Sequence, residues 1–177
     1  MVKSQGGTAN KHGKIIESML FPLFEQNNYA IAVCYSKKSK CYPNYLPYEK
    51  NKQYFDSLDR LVLYQAPYTS IYPNKDGKTE FLIINKPLNR RIRVECKWQQ
   101  SGGSADEKIP YLYLNAVFAF PEKEIIVVMD GGALDKTAKQ WLIDRCNERW
   151  LLDNQPDKSI EVMSIAEFTA WFNKELA

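Results

Sequence analysis

The chain has 177 residues, 45% hydrophobic, 25% charged and 13% aromatic, which is the length and balance of about one globular domain. A formal net charge of only +3 beside so many apolar residues excludes a disordered chain. No apolar run reaches the roughly 20 residues a membrane helix needs.

The opening Met1-Val-Lys-Ser-Gln-Gly-Gly has no apolar stretch after its lysine. It does not read as a secretory signal, and a cytoplasmic location is expected. From Lys11 to Gln26, Ile15, Ile16, Met19, Leu20, Leu23 and Phe24 recur at helical spacing, with Pro22 either kinking or splitting the helix. Tyr29 to Tyr35 is predicted as a strand. Residues 36–60 mix lysines and tyrosines around Pro43 and Pro47 and are expected to form an exposed excursion with a helical end near Tyr54–Leu61. Leu61–Tyr64 and Thr69–Tyr72 are predicted as short strands or extended segments, followed by a turn over Pro73–Gly77.

Glu80 to Asn85 is apolar on both faces after its first residue, as in an interior strand. Arg91 to Gln99 alternates, with Ile92, Val94, Cys96 and Trp98 facing one way and Arg91, Arg93, Glu95, Lys97 and Gln99 the other. The Ser101-Gly-Gly-Ser104 loop opens a predicted helix over Ala105–Ala116. Glu124–Met129 is a second doubly buried strand, and Asp130-Gly131-Gly132 is a turn. Leu134–Leu152 reads as a long amphipathic helix. A short strand, Ile160–Met163, and a last helix, Ile165–Leu176, follow. The expected class is α/β, a single domain over residues 1–177 with a central mixed β-sheet flanked by helices.

Cys34, Cys41, Cys96 and Cys146 form no Cys-x-x-Cys pair, and His12 is the only histidine. Zinc is not expected, free thiols are, and a histidine-based triad lacks its parts. Chemistry therefore falls to carboxylates and lysines. Glu80 opens one strand and Glu95-Cys96-Lys97 lies on the next, with Glu95 and Lys97 on one face roughly 6.5–7 Å apart at Cα. Two carboxylates with a substrate phosphate suffice for magnesium, and a lysine on the same face can orient a water or offset growing charge. The alternative is a charged face in solvent. The apolar flanks Val94 and Trp98 favour the first reading.

At these residues the chain resembles the PD-(D/E)XK nuclease superfamily, whose core is restriction-endonuclease-like. The matching segments are Thr79-Glu80-Phe-Leu-Ile-Ile for the first acid, Val94-Glu95-Cys96-Lys97 for the signature, and Glu17 within Lys11-His-Gly-Lys-Ile-Ile-Glu17 for the helix glutamate. Ile125-Ile-Val-Val-Met-Asp-Gly-Gly resembles a later segment of several members. The likeness spans roughly residues 6–150. The first acid is Glu80 where the family usually has Asp, with Thr79 in place of Pro, and Asp76 is the other candidate ligand.

The resemblance implies that Glu80 and Glu95 bind Mg²⁺ (or Mn²⁺) directly, with the Cys96 backbone carbonyl as a further ligand. It implies that Lys97 positions the attacking water and that Glu17 acts through a metal-bound water. Gln99 either contacts the water or the scissile phosphate, or is simply a solvated polar residue. The implied activity is metal-dependent endonucleolytic hydrolysis of DNA, in a restriction or mobile-element setting, leaving 5′-phosphate and 3′-hydroxyl ends. The implied partners are duplex DNA and, for double-strand breaks, a second copy of the chain. Lys37, Lys38 and Lys40 amid tyrosines are candidate phosphate contacts, as is Lys108, although a solvated lysine loop explains the cluster equally. A structure-specific or RNA-directed nuclease, and a non-catalytic nucleic-acid-binding module, remain open.

Overall fold

Helix α1 (Gly6–Gln26) ends where Asn28 takes a positive φ of 60°. There Asn28 N–H bonds to the Glu25 carbonyl at 3.0 Å and Tyr29 N–H to the Phe24 carbonyl at 3.0 Å. This paired closure turns the chain directly into a strand. Pro22 lies inside α1 without splitting it, on an exposed side, where the perturbed turn faces solvent. The computed structural model of the chain describes residues 6–34, 45–98, 106–130 and 136–177, with side chains from Ile16 onward except those of Trp98, Asp106 and Lys136.

The remaining elements are β1 (Ala30–Val33), β2 (Leu46–Pro47), α2 (Lys52–Ser57), β3 (Arg60–Thr69), β4 (Asp76–Asn85), β5 (Arg90–Trp98), a 3₁₀ turn (Asp106–Lys108), α3 (Ile109–Phe118), β6 (Glu124–Asp130), α4 (Lys136–Asn147), β7 (Ser159–Met163) and α5 (Ile165–Glu175). The strands form one mixed sheet in the order β2-β1-β3-β4-β5-β6-β7. Pairing is antiparallel for β3–β4 and β4–β5 and parallel elsewhere. The class is α/β, as the sequence predicts. Among the described residues no helix is long and apolar enough to cross a membrane.

One face of the sheet is sealed by α1 and α5. Leu20, Phe24, Phe168 and Phe172 pack there on Tyr64, Phe81, Ile83, Val94 and Val128. A capping box of Ser164 and Glu167 starts α5. The other face carries two separate apolar clusters. Helices α3 and α4 cover Ile125, Val127, Met129 and Ile160, whereas Phe55 of α2 packs with Leu61, Leu63 and Leu82. Between those clusters lies the polar face of β5.

Three expectations are corrected. The segments around Leu61 and Thr69 belong to one strand, β3, and residues 70–72 are loop. Pro67 is accommodated because β1 pairs only with Leu61–Tyr64, which leaves β3 an edge on that side further along. The helix predicted to Leu152 stops at Asn147. There Arg149 adopts φ 52° and its guanidinium bonds to the carbonyls of Gln155, Pro156 and Lys158 at 3.1–3.2 Å. The helix predicted over Ala105–Ala116 starts as the 3₁₀ turn and continues to Phe118, with Pro110 in its first turn.

Candidate active site

The site is made where two strands part. The β4–β5 ladder runs from Asn85↔Arg90 to Phe81↔Val94 and stops. Beyond it, β5 stays on β6 through Glu95↔Val127, Cys96↔Val128 and Lys97↔Met129. Strand β4 stays on β3 through Thr79↔Ala66 and Gly77↔Tyr68. A wedge therefore opens between β4 and β5, with Glu80 and Glu95 at its apex.

Glu80 reaches across that wedge. Its Oε2 accepts the Cys96 backbone N–H at 2.9 Å, replacing the ladder bond that the divergence removes. The reach depends on a slip in the pleat. Residues two apart on a strand normally share a face. Yet Phe81 and Tyr64 lie in the core under α1, while Thr79 receives the Arg93 guanidinium on the opposite side and Ala66 packs with Leu63 and Leu82. Between them Gln65 adopts φ 57°, and the register skips Gln65 and Glu80. Glu80 is thereby turned sideways, toward β5.

The N–H and C=O of a strand residue project from the same edge, so the Cys96 carbonyl also faces the wedge. Lys97 Nζ lies 3.4 Å from that oxygen and pairs with Glu95 Oε1. The Glu95 and Lys97 side chains retain 13% and 24% of their surface, shielded enough to strengthen charge interactions but still reachable. Burial pushes the Glu95 carboxyl up to about 8, the Glu80 charge adds to the rise, and Lys97 opposes it. Burial works against a charged Lys97, but the Glu95 and Glu80 charges outweigh it and raise its value. Two acids and one lysine thus share a shielded space, an arrangement short of positive charge.

Glu17 approaches from the other side of the sheet. It is buried, and its Oε2 accepts the Tyr64 hydroxyl at 2.5 Å. Burial, then the Glu80 and Glu95 charges, raise the Cys96 thiol well above its ordinary value, with Glu17 a smaller contributor. Cys96 therefore stays a neutral thiol, and its carbonyl is the atom it could offer to an ion. Glu80, Glu95 and Lys97 are brought together, while Glu17 stands behind β5. Asp76 is exposed and pairs with Thr69 at the far end of β4, so Glu80 is the acid that reaches the wedge.

The donor set suits a hard cation. Among the described residues no group of three His, Cys, Asp or Glu side chains is placed to hold a metal ion by itself. Two carboxylates and a carbonyl suit an ion that keeps waters and takes a substrate phosphate. Gln99, Lys37, Lys38 and Lys40 lie outside the described residues. Lys108 is exposed in the 3₁₀ turn. Tyr45 and Tyr48, from the lysine–tyrosine stretch, give their hydroxyls to Glu25 and Asp56 at 2.8 and 2.7 Å.

Sequence reasoning missed Tyr64, Gln65 and Tyr68. The Tyr68 ring lies across Gly77, where an added Cβ would sit 2.3 Å from ring carbon Cζ and 2.5 Å from the hydroxyl. Its hydroxyl thus extends from β3 over β4. Burial pushes that hydroxyl up to about 12, with Glu95 and Tyr111 adding to the rise and Lys97 and Arg93 opposing it. No local pattern marks these residues; only the register between β3 and β4 does.

Residues 8–176 match a family model described as a PD-(D/E)XK nuclease superfamily domain. No curated protein and no solved structure matches the chain.

Proposed function

Because the chain belongs to the PD-(D/E)XK nuclease superfamily, we propose that it is a divalent-metal-dependent endonuclease that hydrolyses DNA phosphodiester bonds to 5′-phosphate and 3′-hydroxyl ends. The observation that carries this reading is the convergence of Glu80, Glu95 and Lys97 at the apex of the strand wedge. Glu80, Glu95 and the Cys96 carbonyl would hold Mg²⁺ or Mn²⁺. When bound, such an ion supplies a more acidic water and offsets charge on the phosphate.

The protein's own groups do the rest. Lys97 holds its ammonium between Glu95 and the Cys96 carbonyl, where it can orient the attacking water and stabilise the developing oxyanion. Glu80 is fixed by the Cys96 N–H and meets the Glu95 carboxyl, so both acids face the same space. Glu17, anchored by Tyr64, acts at one remove, through water.

Plasmid cleavage with Mg²⁺, Mn²⁺ or chelator tests this. The expected result is cutting with either metal, none with chelator, and products that ligate without prior phosphorylation. Lys97→Ala should remove cutting while leaving the melting transition in place. A Lys97→Ala protein that cuts like the parent would overturn the assignment.

A further inference from the structure

We propose that the stacked pair Tyr72–Tyr111, with Lys75 above it, is a binding platform for unpaired nucleotides beside the cleaved phosphodiester, so that the preferred DNA carries a single-stranded flank. This rests on the nuclease reading above and names the substrate class for that same site.

The two rings lie 5.2 Å apart and only 14° from parallel. Lys75 Nζ sits 5.3 Å from the Tyr72 centroid and 5.8 Å from that of Tyr111. Tyr72 nevertheless keeps 52% of its surface exposed and Tyr111 is only half-buried, so the pair can be reached from solvent. The loop presenting it is fixed. Ser70 N–H bonds to the Lys75 carbonyl at 2.9 Å and Lys75 N–H to the Tyr72 carbonyl at 3.2 Å. The buried Asn115 side chain accepts Ile71 N–H at 3.1 Å and donates to the Tyr111 carbonyl at 2.7 Å, which locks loop to helix. A platform ordered in advance loses little freedom on binding.

Its position joins it to the wedge. The loop follows directly on β3, whose Tyr68 lies across Gly77 with its hydroxyl extended over β4. From Asp76 to Glu80, β4 covers roughly 13 Å, a few nucleotides of extended strand. The Lys75 ammonium complements a phosphate, and every base offers a π-face for stacking. Bases within a duplex are already stacked on one another, so an unpaired stretch is the occupant this surface fits.

Anisotropy titrations on the metal-free protein test the platform without cleavage. The DNAs are a blunt duplex and the same duplex with a single-stranded tail of about six nucleotides, within the site sizes of such binders. The tail should tighten binding, and Tyr72→Ala should weaken tailed-DNA binding about tenfold without changing blunt-duplex affinity. Tyr72→Phe should keep the tail preference, because the ring and not the hydroxyl stacks. Equal tailed-DNA affinity in Tyr72→Ala and parent, or an equal loss on blunt DNA, overturns the platform. Parallel cleavage assays separate the two claims. A parent that cuts while Tyr72→Ala binds normally removes the platform alone, and a parent that never cuts but loses tail binding in Tyr72→Ala removes the nuclease reading alone.

Discussion

Two charged clusters lie side by side on the same face of β5, and they behave oppositely. Arg93 is closed. Its guanidinium pairs with Glu122 at 2.5 and 3.1 Å, meets the Ala66 and Pro67 carbonyls and the Thr79 hydroxyl, and lies against the Phe120 and Tyr68 rings. Both side chains of that pair are 3% exposed. Two residues on, Glu95 and Lys97 are partly open, and Glu80 gives the group one acid too many. One cluster is balanced and sealed, so it serves as a strut. The other lacks positive charge and is reachable, as the proposed site requires.

The sharpest way to break this contrast is to remove one member of each. Lys97→Ala should cut the cleavage rate by about 10²–10⁴-fold, the range for a positioned catalytic group, with little loss of stability. Arg93→Ala should do the reverse. It leaves the buried Glu122 with only the exposed Arg91, 3.8 Å away, and breaking a buried pair costs about 3–5 kcal/mol. Chemical denaturation should therefore show a much lower midpoint for Arg93→Ala than for Lys97→Ala. Equal midpoints would erase the distinction between strut and site.

The distinction was only half legible in the sequence. The period-two alternation of β5 placed Arg93, Glu95 and Lys97 on one face, and the apolar runs of β4 and β6 marked interior strands. The partners, however, are remote in sequence. Glu122 precedes β6, and the wedge depends on where the β4–β5 ladder ends, which strand composition does not encode. Thr69–Tyr72 reads as a short strand or extended segment because its residues favour one, and only Thr69 belongs to β3. The loop instead follows from contacts with Asn115 on α3.

A second effect comes from pH. The Glu95 carboxyl is raised in the folded protein to about 8, against roughly 4.3 in an unfolded chain. The stabilisation linked to its proton is complete below the unfolded value and lost as pH rises through the folded one. The metal-free protein should therefore melt at progressively lower temperature between about pH 5 and pH 8, and Glu95→Gln should flatten that decline. Divalent-cation binding should strengthen over the same interval, because the cation displaces the proton. Parallel melting curves for parent and Glu95→Gln would show that folding does not raise the Glu95 carboxyl.

The smallest effect is expected at Gln65, and it addresses how the site is built. A left-handed conformation costs a non-glycine residue roughly 1–2 kcal/mol, and Gln65 holds one at φ 57° directly beside the pleat slip that turns Glu80 toward β5. Gln65→Gly removes that strain but adds freedom to the unfolded chain worth about 0.5–1 kcal/mol. Stability should rise by about 1.5 kcal/mol at most, and cleavage should persist, because the backbone path that orients Glu80 is kept. If cleavage falls instead while the melting temperature holds, the Gln65 side chain itself takes part in the wedge. The strain would then be tied to function, as strained residues near active sites often are.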